Sequence, residues 1–148
     1  MKAFVIRIKD HKYSEAAADR LIKSVNKIHP KLVVHKFDAF TPNDDPEKIL
    51  KQLNYPTKLF FEKYSRNVNA MAAYLSHRRL WELSTETNKS FFIFEHDAVL
   101  LDSLPVKFKS VEQGHMVAHP LLGDIVNIGQ PSYGNFNKPA NIGINRLT

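Results

Sequence analysis

The sequence predicts an α/β domain, a mostly parallel sheet flanked by helices, and three observations carry that prediction. A short apolar run, a helical pattern and a second β-branched run follow one another between residues 3 and 37. Ser90-Phe91-Phe92-Ile93-Phe94 is an unbroken apolar strand, the kind that occupies the middle of a parallel sheet. Between them lies a long helical pattern that is apolar on two faces, as expected of a helix buried between layers.

The first strand is Ala3 to Ile8, ending at Lys9-Asp10-His11-Lys12. Ser14 then suits an N-cap, with Glu15 in the first turn of a helix over Ala16 to Ile28. Ala17, Leu21, Val25 and Ile28 recur at helical spacing, and Pro30 closes the helix. Leu32 to Phe37 is the second strand. Strand, helix and strand at this spacing form a βαβ unit, whose crossover is right-handed and whose strands are parallel.

Asp44 or Asp45, with Pro46 at the first helical position, opens a short helix to about Leu53. Residues 54–66 show no regular pattern. The long helix runs from Asn67 to Thr87, with Val68, Met71, Ala72, Leu75 and Leu83 on one face and Tyr74, His77 and Trp81 nearly opposite. Beyond the Ser90–Phe94 strand, Met116 to Ala118 and Ile125 to Ile128 suit further strands, and residues 130–148 read as an irregular tail. At 148 residues, with no repeat or linker, the chain reads as one domain over 1–148.

Composition excludes several classes. There is no cysteine, so disulfide frameworks, thiolate metal sites and cysteine nucleophiles are ruled out, and a reducing cytoplasm suits the chain. The longest uncharged apolar run is about five residues, against the roughly 20 of a membrane span. No signal-peptide core is present at Met1 to Lys9. The net charge of +6 falls entirely in residues 1–74, where 14 Lys and Arg face 8 Asp and Glu. Lys23, Lys27 and Lys31 follow a helical pattern and read as a solvated face. No basic stripe with interleaved aromatics stands out along the chain, which argues against a nucleic-acid partner.

The chemistry concentrates at Glu95-His96-Asp97, just past the apolar strand. Ligands of open α/β sheets bind beyond the carboxyl ends of the strands. Two carboxylates there can hold a hard divalent cation and a substrate hydroxyl, or can simply be loop acids with Asp97 capping the next turn. Ser76-His77-Arg78-Arg79 with Trp81 is a second constellation on the long helix. His77 reads either as a satisfied buried histidine or as a site residue, and at most one of Arg78 and Arg79 could reach a phosphate. His115 and His119 would stand roughly 13 Å apart in a strand, too far to share a metal. Phosphate-binding glycine loops and a nucleophile elbow are absent.

Taken together these segments resemble glycosyltransferase family 25, the lipopolysaccharide-biosynthesis type. Phe4 to Asp10 is similar to the family's opening strand and Phe37-Asp38-Ala39-Phe40 to its second strand end. Ala73-Tyr74-Leu75-Ser76-His77-Arg78-Arg79-Leu80-Trp81-Glu82 resembles its Leu-Ser-His helix. Phe92 to Leu100 resembles the strand that runs into Glu-Asp-Asp, with His96 in place of the middle acid. Asp124 to Gly129 is a weaker echo. The likeness covers about residues 3–129 and the family continues beyond, so the chain reads as C-terminally short.

The resemblance implies a GT-A-like, Rossmann-type fold and transfer of a sugar from a nucleotide-sugar donor, a UDP-sugar first of all, to a hydroxyl of a glycan or lipopolysaccharide-type acceptor. The alternative is a truncated, non-catalytic module that binds a nucleotide sugar or a glycan. By the same resemblance Asp97 would bind a divalent cation, Mn²⁺ or Mg²⁺, and Glu95 would face the nucleotide or the ion. Ser76 and His77 would lie near the donor pocket, and Arg7, Asp10, Asp38 and Ala39 would shape the nucleotide seat.

Overall fold

The structure is a computed structural model and describes residues 2–101, which lie within one compact unit, Met1–Phe108. Three parallel strands, β1 (Lys2–Arg7), β2 (Val33–Asp38) and β3 (Phe91–Glu95), form a sheet of order β2-β1-β3. Four helices flank it: α1 (Lys12–Ile28), α2 (Pro46–Gln52), α3 (Lys58–Lys63) and α4 (Asn67–Thr87). The α/β class with a parallel sheet is therefore as expected. The expected strands at 116–118 and 125–128, the His115–His119 pair and the 130–148 tail lie outside the described residues, and the single-domain expectation reaches past them.

The register puts Arg7 opposite Asp38 and Ile6 opposite Glu95, so the carboxyl ends of all three strands share one edge. From β1 the chain crosses outward to β2 and then returns past β1 to β3. Right-handed crossovers in opposite directions place their helices on opposite faces. Val5 accordingly packs with Ala18, Leu21 and Val25 of α1, joined by Val34 and Phe94. Glu95, whose side chain alternates to the other face, meets α4. Leu50, Met71 and Leu75 form a second core that joins α2 to α4, with Phe40, Phe60 and Tyr74 around it.

Among the described strands β1 pairs on both sides, with β2 and β3. Three expectations are corrected. Ser14 is not the N-cap: His11 takes that place, its Nδ1 accepting from the Ser14 amide at 3.2 Å. The buried Ser14 hydroxyl instead accepts the Ile8 N–H at 2.8 Å and ties the end of β1 to α1. On α4, Leu80 is fully buried while Val68 is exposed, since α2 and β3 cover only part of the apolar face. Residues 58–63, expected to be irregular, form α3, a single short helix whose residues are all at least partly exposed.

Candidate functional site

Arg7 ends β1, and the register sets it opposite Asp38, the last residue of β2, where the two charges pair. Its Nη1 lies 2.7 Å from Asp38 Oδ1 and its Nε 2.9 Å from Glu15 Oε1. The Arg7 side chain is only 12% exposed, and neither buried N–H lies along a hydrogen-bond direction, so the contact is ionic rather than a fork of hydrogen bonds. Lys36 Nζ continues the network, 2.9 Å from Glu15 and 2.8 Å from Asp19. Hydrogen bonding to the Lys36 ammonium holds both carboxyls below their usual range, and those two carboxylates, Asp19 first, push Lys36 up. Lys9 stands 4.0 Å from the outer oxygen of Asp38. Asp10, exposed and in a left-handed turn at φ 58°, begins the connection to α1, and its backbone also bonds the Glu15 carboxylate.

The other face of the same edge is more open. His77 Nε2 donates to Glu95 Oε1 at 2.6 Å, with the two side chains 30% and 50% exposed. A carboxylate can only accept, so the pair assigns the proton on Nε2. His77 is thus hydrogen-bonded and partly exposed at this edge, not fully buried. Its ring also leans on Trp81 at 5.9 Å, and Trp81 on Tyr74 at 6.1 Å. Burial, then the neighbouring Tyr55 phenol, push the Tyr74 hydroxyl up to about 12, so it stays neutral near pH 7. Arg78 and Arg79 pair with Glu82 and Glu86 of their own helix, each at 2.9 Å, so both are committed within α4.

Ser76 joins the two faces. It is fully buried; its hydroxyl accepts the Phe40 N–H at 2.9 Å and donates to the Ala72 carbonyl at 2.9 Å. Ala39 N–H in turn donates to the Arg7 carbonyl at 2.8 Å. The chain leaving β2 is thus held from both sides. Past β3, the Ala98 N–H closes a turn onto the Glu95 carbonyl at 3.1 Å, with Asp97 exposed in it and His96 half-buried.

Of the residues singled out in the sequence, Arg7, Asp38 and Ala39 come together on one side of the edge, and Ser76, His77 and Glu95 on the other. Asp10 and Asp97 flank them on the loops after β1 and β3. Sequence reasoning missed Lys36 and gave Glu15 only a place in a helical turn, because their pairing spans 21 residues. The one available signal was charge placed on the otherwise apolar second strand. Among the described residues no three His, Asp or Glu side chains converge as a metal-ion set. Glu95 and Asp97 are the carboxylates at this edge that could contribute oxygen ligands to a hard divalent cation, the rest of whose shell would come from phosphate and water. No helix among them is long and apolar enough to cross a membrane.

No curated protein and no solved structure matches the chain at a significant level. Residues 1–120 match the model of glycosyltransferase family 25, described as an LPS biosynthesis protein. With its parallel sheet and its acids and Ser-His pair at the strand ends, the chain belongs to glycosyltransferase family 25.

Proposed function

We propose that this chain binds a nucleotide-sugar donor, in the first place a UDP-sugar, at the carboxyl edge of the sheet and transfers the sugar to a hydroxyl of a glycan or lipopolysaccharide-type acceptor. The supporting observation is the open His77–Glu95 pair at the 2.6 Å contact, beside Asp97 and at the point where the strand order reverses between β1 and β3. Crevices of doubly wound sheets open at that reversal. A GT-A-like arrangement and a cytoplasmic setting, where such donors are made, go with this reading.

The roles follow from the contacts. Asp97 and the second oxygen of Glu95 would hold a divalent cation, Mn²⁺ or Mg²⁺. When bound, such an ion neutralises charge on a diphosphate leaving group. His77 fixes the Glu95 carboxylate in one orientation. Arg7 holds Asp38, half-exposed, where its outer oxygen, with Lys9 4.0 Å away, can accept a hydroxyl of the nucleotide. Ser76 acts as a positioning residue: its bond to Phe40 N–H fixes the Asp38-Ala39-Phe40 corner against α4.

Titration calorimetry of the purified chain with UDP and a panel of nucleotide sugars, in Mn²⁺ and then in EDTA, tests the reading. Metal-dependent binding supports it, and a transfer assay with the donor so found separates an enzyme from a binding module. Absence of binding to every donor removes the glycosyltransferase activity from this chain.

A further inference from the structure

Glu15 does more at the carboxyl edge than its place in the first turn of α1 suggests. Its one carboxylate is shared by three segments. Arg7 Nε of β1 lies 2.9 Å from Oε1, Lys36 Nζ of β2 lies 2.9 Å from Oε2, and the backbone of Asp10, in the connection from β1 to α1, bonds it as well. Asp19, one turn further along α1, holds Lys36 from the other side at 2.8 Å. Glu15 is thereby fixed, and with it the Nε side of the Arg7 guanidinium.

That arrangement decides how Arg7 meets Asp38. An arginine free to turn grips a carboxylate with two nitrogens and engages both its oxygens. Turning the buried guanidinium to offer Asp38 a second N–H would break its contact with Glu15. Arg7 therefore reaches Asp38 through Nη1 and Oδ1 alone, at 2.7 Å. The other oxygen, Oδ2, has Lys9 Nζ at 4.0 Å, beyond hydrogen-bond reach, and the Asp38 side chain is 55% exposed. Asp38 stands at the end of β2 as a fixed carboxylate with one acceptor oxygen left over.

We propose that Glu15, acting through Arg7, is a positioning residue that keeps Asp38 Oδ2 for a ribose hydroxyl, so that the site selects ribonucleotides over their deoxy counterparts. The inference rests on the donor-binding reading above and names the part of the nucleotide that this oxygen takes. A carboxylate oxygen only accepts, so its partner must carry a donor, and the phosphates, anionic and without donors, are refused. The strand order puts Asp38 across β1 from Glu95. With the diphosphate at the Glu95–Asp97 side, the group reaching Asp38 is the nucleoside and not the transferred sugar. In βαβ nucleotide sites an acid placed in this way binds the ribose hydroxyl.

Calorimetry of the full chain in Mn²⁺ with UDP, 2′-deoxy-UDP and 3′-deoxy-UDP tests this. The wild type should bind UDP about tenfold or more tightly than the weaker of the two deoxy analogues, as a hydrogen bond to a charged oxygen requires. Glu15→Ala should bring that ratio close to parity, as should Asp38→Ala. Glu15→Gln keeps an oxygen on Arg7 Nε and should retain most of the preference. Lys36→Met releases Glu15 without touching Arg7; it should lower the ratio part of the way and serves if the alanine variant does not fold. A merely structural role would weaken all three nucleotides alike. A ratio left at its wild-type value in the folded Glu15→Ala or Lys36→Met variant therefore overturns the proposal. Equal affinity of the wild type for all three nucleotides overturns this inference alone, whereas binding of none overturns the donor-binding reading with it.

Discussion

On the α1 face of the carboxyl edge, Arg7 lies between Glu15 and Asp38, and Lys36 ties Glu15 to Asp19. On the α4 face His77 meets Glu95, both side chains partly open to solvent. The same problem, charge at the end of an apolar strand, has two different solutions a few ångströms of sheet apart. Where the charges neutralise one another in a closed set, they fix the geometry of the strand ends. Where one carboxylate meets one imidazole and a second carboxylate stands exposed in the next turn, the negative charge is left for a cation to balance. On the proposed reading the first arrangement would hold the site in shape and the second would carry its chemistry.

That contrast can be broken experimentally, starting on the open side. Asp97→Ala should abolish Mn²⁺-dependent donor binding in calorimetry while leaving thermal stability unchanged, because the side chain is exposed in a turn. Equal donor affinity with and without metal, in wild type and variant alike, would remove Asp97 from the site. On the closed side Arg7→Met leaves Glu15 and Asp38 without their shared cation, and urea unfolding should show a loss of about 1–3 kcal/mol. A variant as stable as the wild type would mean that the network is not structural.

Two variants sharpen the boundary between the faces. Ser76→Ala strands the Phe40 N–H and should cost about 1–2 kcal/mol, with weaker donor binding as the corner after β2 loosens. His77→Ala should weaken donor binding with a stability change below about 1 kcal/mol, since its contact is with a half-exposed carboxylate. Lost stability with full binding would instead make it a packing residue.

The smallest effect expected is pH-dependent and belongs to the closed side. Glu15 and Asp19 have carboxyl values lowered on folding, so the stability they add is present above the ordinary carboxyl range and lost as pH falls through about 4. Lys36, raised on folding, keeps its contribution up to its ordinary range and loses it above. Melts from pH 7 down to pH 3 should therefore fall, and Lys36→Met should flatten the fall.

Much of this was legible in the chain itself. The strand–helix–strand opening, the short helix begun by Pro46, the long helix over 67–87 and the apolar strand into Glu95 are local patterns, and each appears within a residue or two of its expected place except at the start of α1, which begins four residues early. The residues that meet at the edge were named from motifs at strand ends and on one helix. α3 was not legible: six residues with a single anchoring aromatic carry no measurable period. The capping of α1 by His11 was missed because imidazole lies outside the usual capping set.

By itself the sequence determined the parallel α/β class, the order of the described elements apart from α3, and the family motifs, because hydrophobic period and turn chemistry depend on neighbours a few residues away. Only the tertiary structure decided that β1 is the central described strand, that Arg7 and Glu95 point to opposite faces, and that Ser76 supports the corner after β2 rather than facing solvent. Those facts rest on strand register and on contacts 18 to 36 residues apart. Such closures are fixed by which surfaces fit when the sheet assembles, and no local pattern encodes that fit.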